Sequence, residues 1–452
     1  MMTPVREFLY FLAIIVVLGT FLYLTGNQNP QPALQRVQPV AVDSVKQEKP
    51  TKIQVQKEAP ILAESAEKST KLQQQLFNPT TLVFVPDDST HFQYLWNKLQ
   101  HPTSALPVRV IYFGDSQVEN DRITSSLREA LQQKFGGKGP GLVPLDQYYN
   151  TPHHLMIELS DGWKIKSFQD EDFVNQSLLF KNTILTPEDD NGWFRIQRFK
   201  RRSAKPDYQI MKLYYWAKDT SQVTVQQGRT QIYAGTLKPE QKVSTLDFQF
   251  NRTPDDIRFD FKVKDTLNIC GLSLESDSGI FVDNVALRGL SYPTFEWSDQ
   301  EKLKQILDQL NVGLFVLHFG VNLVPYESDD YPNFKRHFQR QIDFLKRVRP
   351  DVPILIVGVS DMAEKQDGRF ISYPNIPTIK AIQREISGRN HTAFWDLQKF
   401  MGGAGGMVNW VNAKPALGRT DYTHFSRKGA DAIGKELGKL ILNELKTEQH
   451  KQ

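Results

Sequence analysis

From residue 108 the chain runs VRVIYF, six nearly continuous apolar positions, and stops abruptly at Gly114, Asp115 and Ser116. Such a run, rich in β-branched and aromatic residues and preceded by a proline, predicts a buried strand. Beyond it, Ile123, Leu127, Leu131 and Phe135 recur every four residues, one face of an amphipathic helix with Asn120 or Asp121 as its cap. From about residue 300 the same alternation returns. QEKLKQILDQL reads as a helix, GLFVLHFG as a strand, NFKRHFQRQIDFLKRV as a helix, VPILIVGV as a strand and HTAFWDL as a short strand. A last helix is predicted where Ala430, Ile433, Leu437, Leu440, Ile441 and Leu445 share one face.

Between these stretches the pattern changes. YQIMKLYYWA, QVTVQ, TQIYAG, STLDFQF, DIRFDFKV and LNICGLSLES are short β runs separated by turn residues, the signature of a sandwich. The expected architecture is an α/β domain with a parallel sheet, in two parts at 77–151 and 287–452, interrupted by an all-β insertion at 152–286.

The amino-terminal region has its own pattern. Residues 8–25 carry no charge, follow Arg6, and are just long enough to span a bilayer. Residues 1–26 therefore read as a membrane anchor, with the body outside the cytoplasm, in the periplasm; a cleaved signal peptide, giving a secreted protein, is the alternative. Residues 27–76 are rich in Gln, Pro, Lys, Val and Glu and read as a linker, with one frayed helix around Ala63–Gln75. As a coil, some fifty residues span about 40 Å.

Composition narrows the function. With 452 residues, 40% hydrophobic and 23% charged, the chain has the make-up of a globular protein of more than one domain. A net charge of +4 without a dense basic block gives nucleic-acid binding no support. The single cysteine, Cys270, excludes an internal disulfide and a cysteine-based zinc site, and its apolar surroundings predict a buried strand thiol. His153 and His154 are adjacent, a spacing poorly suited to one metal ion, and no metal or organic cofactor is expected. The glycine-rich stretch GGKGPG lacks the ending of a phosphate loop and is expected to shape a substrate cleft. Trp163, Trp193 and Trp216 read either as core or as a sugar-stacking face, and His318 as structural. No protein partner follows from the pattern.

Candidate chemistry lies at the predicted strand ends. Ser116 follows the first strand, close to a helix start that favours developing negative charge, although Asp and Ser also simply make turns. Gly320, Val321 and Asn322 follow a second strand, and Asp421 and His424 precede the last helix. A serine, an aspartate and a histidine in this order suit a nucleophilic triad, with Asp421 reaching the imidazole from three residues away.

GDS at 114–116, an isolated glycine at Gly289 in DNVALRGLS, GVN at 320–322 and DYTH at 421–424 occur in the order of the four signature blocks of the SGNH (GDSL-like) esterase superfamily, which the chain resembles. It is most similar to the peptidoglycan O-acetylesterases of the Neisseria type, in which a β-sandwich resembling a carbohydrate-binding module stands between the first and second blocks. GGKGPGLVP at 136–144 and MGGAGGMVNW at 401–410 fit that group. The resemblance spans roughly residues 105–445. It implies an SGNH-type three-layer α/β/α fold, Ser116 as nucleophile, His424 as general base and Asp421 as its orienting partner. Ser116 N–H, Gly289 N–H and the Asn322 amide would form the oxyanion hole. The implied activity is removal of O-acyl groups, in the first place acetyl, from carbohydrate such as cell-wall peptidoglycan. An O-acyltransferase and a non-catalytic glycan binder are the alternatives. Two positions depart from the common pattern: Gln117 replaces a leucine, and Leu323 stands where many relatives have aspartate.

Overall fold

The computed structural model describes residues 77–84, 91–100, 106–145, 155–166, 184–187, 191–198, 207–240, 242–298 and 300–449. The predicted anchor, the linker with its frayed helix, and His153 and His154 lie outside these. Among the described residues no helix is long and apolar enough to cross a membrane.

The α/β body is built on one six-stranded sheet. Its strands are β1 (Leu82–Val83), β2 (Val108–Gly114), β3 (Ile280–Ala286), β4 (Val312–His318), β5 (Ile354–Val357) and β6 (Ala393–Trp395). They lie in the order β1-β6-β5-β4-β2-β3, all parallel except β1, which closes one edge antiparallel to β6. Every residue of β2, β4 and β5 is buried, which explains why these strands read as continuous apolar runs: both faces of the sheet are covered.

Helices α1 (Gln93–Gln100), α2 (Thr124–Phe135), α3 (Gln300–Gln309), α4 (Pro332–Val348), α5 (Ile376–Arg389), α6 (Leu397–Phe400), α7 (Gly406–Asn412) and α8 (Arg427–Gln449) supply that cover. Alternate residues of β2 enter different cores. Ile111 and Phe113 join Ile306, Phe338, Ile342 and Ile379 of α3, α4 and α5. Val110 and Tyr112 join Leu95, Leu127, Trp410 and Leu437 of α1, α2, α7 and α8. The result is a layer of helices on each face of a central sheet.

The insertion is a two-sheet sandwich around a third core that includes Phe194, Leu213, Val225, Phe259 and Leu272. Its seams differ from those expected. Residues 280–286 pair in parallel with 108–114 and belong to the body, whereas Gly141–Val143 pairs with the sandwich strand Leu267–Glu275. The run at 267–275 is buried throughout and that at 280–286 at every position but Asn284, so burial does not mark the point where the chain leaves one sheet for the other. Cys270 is buried in the first of them, and burial pushes its thiol up to about 12.

A second expectation is corrected at this seam. The GGKGPG loop does not shape a cleft beside Ser116. It packs at the opposite, amino-terminal end of β3, where Gly136 O accepts from Ile280 N–H and where a side chain on Gly139 or Gly141 would strike Leu274 O or the Asp283 carboxylate. Close approach is what the glycines provide there. Beside them Arg109, buried on β2, donates to both oxygens of Asp283 at 2.8 and 3.0 Å and to Ser273 Oγ at 2.9 Å, and pairs with Glu275.

The three tryptophans do not form one face. Trp163 is half-buried, edge-on to Phe261, with its indole N–H on Trp193 O. Trp193 lies on the outer face of one sheet under the Arg258 guanidinium, 4.0 Å from its ring centre. Trp216 faces the body, with Lys302 of α3 over its ring.

Candidate active site

The carboxyl ends of adjacent strands generate this site. After β2 the chain turns at once into a short 3-10 helix, Ser116–Asp121, whose cap is Asp115: its carboxylate accepts the Gln117 N–H at 2.9 Å. The expected cap, Asn120 or Asp121, falls instead at a kink of positive φ before α2, where Asp121 pairs with Arg128 at 2.7 Å.

Ser116 Oγ lies 2.9 Å from His424 Nε2, and His424 Nδ1 lies 3.0 Å from Asp421 Oδ2. The other oxygen of Asp421 accepts the N–H groups of Thr423 and His424 at 3.0 and 2.9 Å. Burial pulls the Asp421 carboxyl up, but the two backbone N–H groups and the imidazole outweigh it and hold the group below its ordinary range. A carboxylate fixed in this way assigns the proton to Nδ1 and leaves the Nε2 lone pair facing the serine. Sequence separation makes the contact informative, since Ser116 and His424 are 308 residues apart.

Gly289 sits in a turn closed by Leu290 N–H on Leu287 O at 3.3 Å, with φ +79° at the glycine. A type II turn demands that conformation at its third position. Asn322 lies in the one-turn helix Val321–Leu323 after β4. Its amide donates to Leu290 O at 2.9 Å, which ties the two turns together although Leu323 stands in place of an aspartate. Leu287 N–H on Gly114 O, at 2.6 Å, and Asp115 N–H on His318 O, at 3.2 Å, bind both to the Ser116 turn. The N–H groups of Ser116 and Gly289 donate to no acceptor among the described residues. The second hydrogen of the Asn322 amide likewise meets no acceptor among the described residues.

Several side chains to which the sequence assigned no role complete the frame. Gln117 Nε2 donates to Thr423 O at 2.7 Å and so joins the serine turn to the histidine loop. Arg122 donates to Ser116 O at 2.5 Å and Glu119 O at 2.9 Å. Arg288, next to Gly289, forms two hydrogen bonds to the Glu119 carboxylate at 2.7 and 2.9 Å. Only Gln117 carried a signal, as a polar residue in the place of a leucine. His318 is outside this chain of contacts: it lies 3.0 Å from Tyr112 Oη, and burial drives it down to about 3, so it stays neutral. Among the described residues no cluster of three or more His, Cys, Asp or Glu is placed to hold a metal ion.

No family model matches the sequence, and no curated protein matches it. Among solved structures, the chain is similar to a peptidoglycan O-acetylesterase, at 18% identity and a TM-score of 0.64, over 81% of this chain and 99% of that one. It also matches a family two carbohydrate esterase from Cellvibrio japonicus at 9% identity and a TM-score of 0.23, over 65% of this chain and 99% of that one. A family 29 carbohydrate-binding module is matched at 13% identity and a TM-score of 0.21, over 31% of this chain and 90% of that one. The first of these likenesses is one of fold.

Proposed function

We propose that the chain is a serine esterase of the SGNH type that removes O-acyl groups, in the first place O-acetyl, from carbohydrate, with cell-wall peptidoglycan as the polymer. The observation that carries this reading is the hydrogen-bonded sequence Ser116–His424–Asp421 beside unused N–H donors. Fold likeness to a peptidoglycan O-acetylesterase supports the choice of polymer.

In this mechanism Ser116 Oγ attacks the ester carbonyl while His424 Nε2 takes its proton, and Asp421 holds the imidazole and balances its positive charge. The tetrahedral oxygen is met by the N–H groups of Ser116 and Gly289 and by the Asn322 amide. Collapse breaks the bond to the sugar oxygen, which takes the proton from His424. Water, deprotonated by the same histidine, then attacks the acyl-serine; the bond to Ser116 Oγ breaks, the serine recovers its proton from His424, and acetate leaves.

The anchor at residues 1–26 and the tether at 27–76 would hold this body outside the cytoplasmic membrane, facing the wall. On the sandwich, a cleft of about 360 Å³ lined by Ser160, Asp161, Asn191, Trp193 and Asp260 offers a second place for polymer.

Free acetate released from O-acetylated peptidoglycan, followed over time with and without oligosaccharide acceptors, tests the proposal. Steady release that acceptors barely alter is expected. Turnover raised severalfold by acceptors, with acetylated sugar in place of acetate, would convert the assignment to an O-acyltransferase. Polymer binding without any release would leave a glycan-binding protein.

A further inference from the structure

Four adjacent strands end in loops on the edge where Ser116 lies. β3 leads to Gly289, β2 to Ser116 and β4 to Asn322. β5, next in the sheet, leads to a hairpin in which Ala363–Gln366 pairs with Arg369–Ser372. Its turn has positive φ at both Asp367 and Gly368, the I′ geometry that suits a two-residue hairpin. The hairpin base is fixed: buried Asp361 accepts from Ser372 Oγ at 2.7 Å, Gln398 Nε2 at 3.1 Å and Met407 N–H at 2.9 Å.

From this base the hairpin reaches the histidine loop. Ala363 N–H donates to Tyr422 O at 3.1 Å, and Phe370 stacks on the Tyr422 ring with centroids 3.6 Å apart and planes 11° from parallel. Tyr422 stands between Asp421 and His424 with φ +55°, and its ring also packs against the core formed with α2 and α8. Phe370 packs against neither core of the body, so the face it turns away from Tyr422 is not committed to the interior.

The neighbouring loop presents a second aromatic. Tyr326, four residues beyond Asn322, is 73% exposed, more than any other large apolar residue described. Its backbone is nonetheless held: Tyr326 N–H donates to Leu323 O and Tyr331 Oη to Tyr326 O, both at 2.9 Å. Buried Asn375, just past the hairpin, donates to Val324 O at 2.9 Å and so ties this loop to the hairpin's foot. The Tyr326 backbone is thus fixed on the loop that follows Asn322, and its ring stands in solvent.

The geometry points to Tyr326 and Phe370 as a carbohydrate subsite on the β5 side of Ser116, where sugar rings of the substrate stack flat on the two aromatics. The inference rests on the carbohydrate-esterase reading and deepens it. Its occupant is chosen by continuity with the reacting serine: a polymer whose ester reaches Ser116 must lie across the adjoining loops. Sugars present apolar C–H faces between polar rims, which flat aromatic rings match.

The test uses the full-length protein carrying Ser116→Ala, titrated calorimetrically with a hexasaccharide of N-acetylglucosamine. Adding Tyr326→Ala or Phe370→Ala is expected to weaken binding about three- to tenfold each, and Phe370→Trp to restore it. Ile232→Ala, an exposed apolar residue on the sandwich, is the control and leaves binding as it was. With Ser116 intact, the same substitutions should raise KM on O-acetylated peptidoglycan by matching factors. Binding unaffected by both alanines, or no rescue by tryptophan, overturns the subsite. Failure of the unaltered protein to hydrolyse any acetyl ester would count instead against the esterase reading.

Discussion

The two ends of β2 use buried polar groups in opposite ways. At the amino end, Arg109 is enclosed by Asp283, Glu275 and Ser273, with every partner supplied by the body or the sandwich. Burial works against the Arg109 charge, but the two carboxylates overcome it and raise its pKa; Arg109 and Lys212 in turn hold Glu275 below its ordinary range. At the carboxyl end, Ser116 Oγ lies against His424 Nε2, the N–H groups of Ser116 and Gly289 have no acceptor among the described residues, and the Asp421–His424 pair is open to solvent. One end is closed and joins two domains. The other keeps polar groups without partners in the fold, the arrangement that the proposed chemistry at Ser116 calls for.

Substitutions at the two ends should therefore fail differently. Ser116→Ala is expected to lower esterase turnover by about a millionfold, as loss of a serine nucleophile does, with the unfolding midpoint unchanged. Retained turnover in a purified variant would remove Ser116 from the chemistry.

Arg109→Met should do the reverse. It leaves Asp283 and Glu275 buried with a missing cation and is expected to destabilise the protein by about 3–5 kcal/mol in denaturant unfolding. Turnover per folded molecule should survive. A loss below 1 kcal/mol, measured the same way, would mean that the seam is held by its apolar contacts alone.

At the reactive end again, Asn322→Ala removes one of three donors and should reduce turnover about a hundred- to a thousandfold with little change in stability. An unaltered rate would assign the oxyanion to other groups.

The smallest effect concerns Asp115, a buried carboxyl to which no cation among the described residues is hydrogen-bonded as Arg109 is to Asp283. Burial, reinforced by Glu119 and only partly offset by the N–H groups of Gln117 and Val321 and by Arg122, pushes it up to about 7. The ordinary value is about 3.9, so between these limits the folded state binds the extra proton. Its contribution to stability is whole below the lower limit and is lost as pH rises through the upper one. Asp421 and Glu275, held low, act oppositely and only below the ordinary carboxylate range. The unfolding free energy from urea titrations should fall by at most about 1.4 kcal/mol per pH unit between pH 5 and 7 from this group and level off above, and Asp115→Asn should flatten the slope. An unchanged slope would locate the effect elsewhere.

What could be read from the sequence follows the same division. β2 and α2 were visible because burial on both faces of a strand, or on one face of a helix, imposes a period on the side chains. The positions of Ser116, Asn322, Asp421 and His424 followed from where those periods stop. Long-range pairings left no such trace. Arg109 looks anomalous inside VRVIYF, and its partner Asp283 is 174 residues away. The transfer of residues 280–286 from sandwich to body is hard to see because all of them but Asn284 are as buried as the sandwich strand before them. The hairpin at 363–372 is too short and too polar to show alternation; its only local mark is the Asp367–Gly368 turn.

The central claim, an acyl-serine formed at Ser116 and prepared by His424, is tested most directly by intact-mass analysis after reaction with a fluorophosphonate, followed by peptide mapping. One adduct per chain on the peptide containing Ser116 is expected, absent in Ser116→Ala and strongly slowed in His424→Ala. An unmodified protein, or an adduct on another residue that persists in Ser116→Ala, would contradict the account.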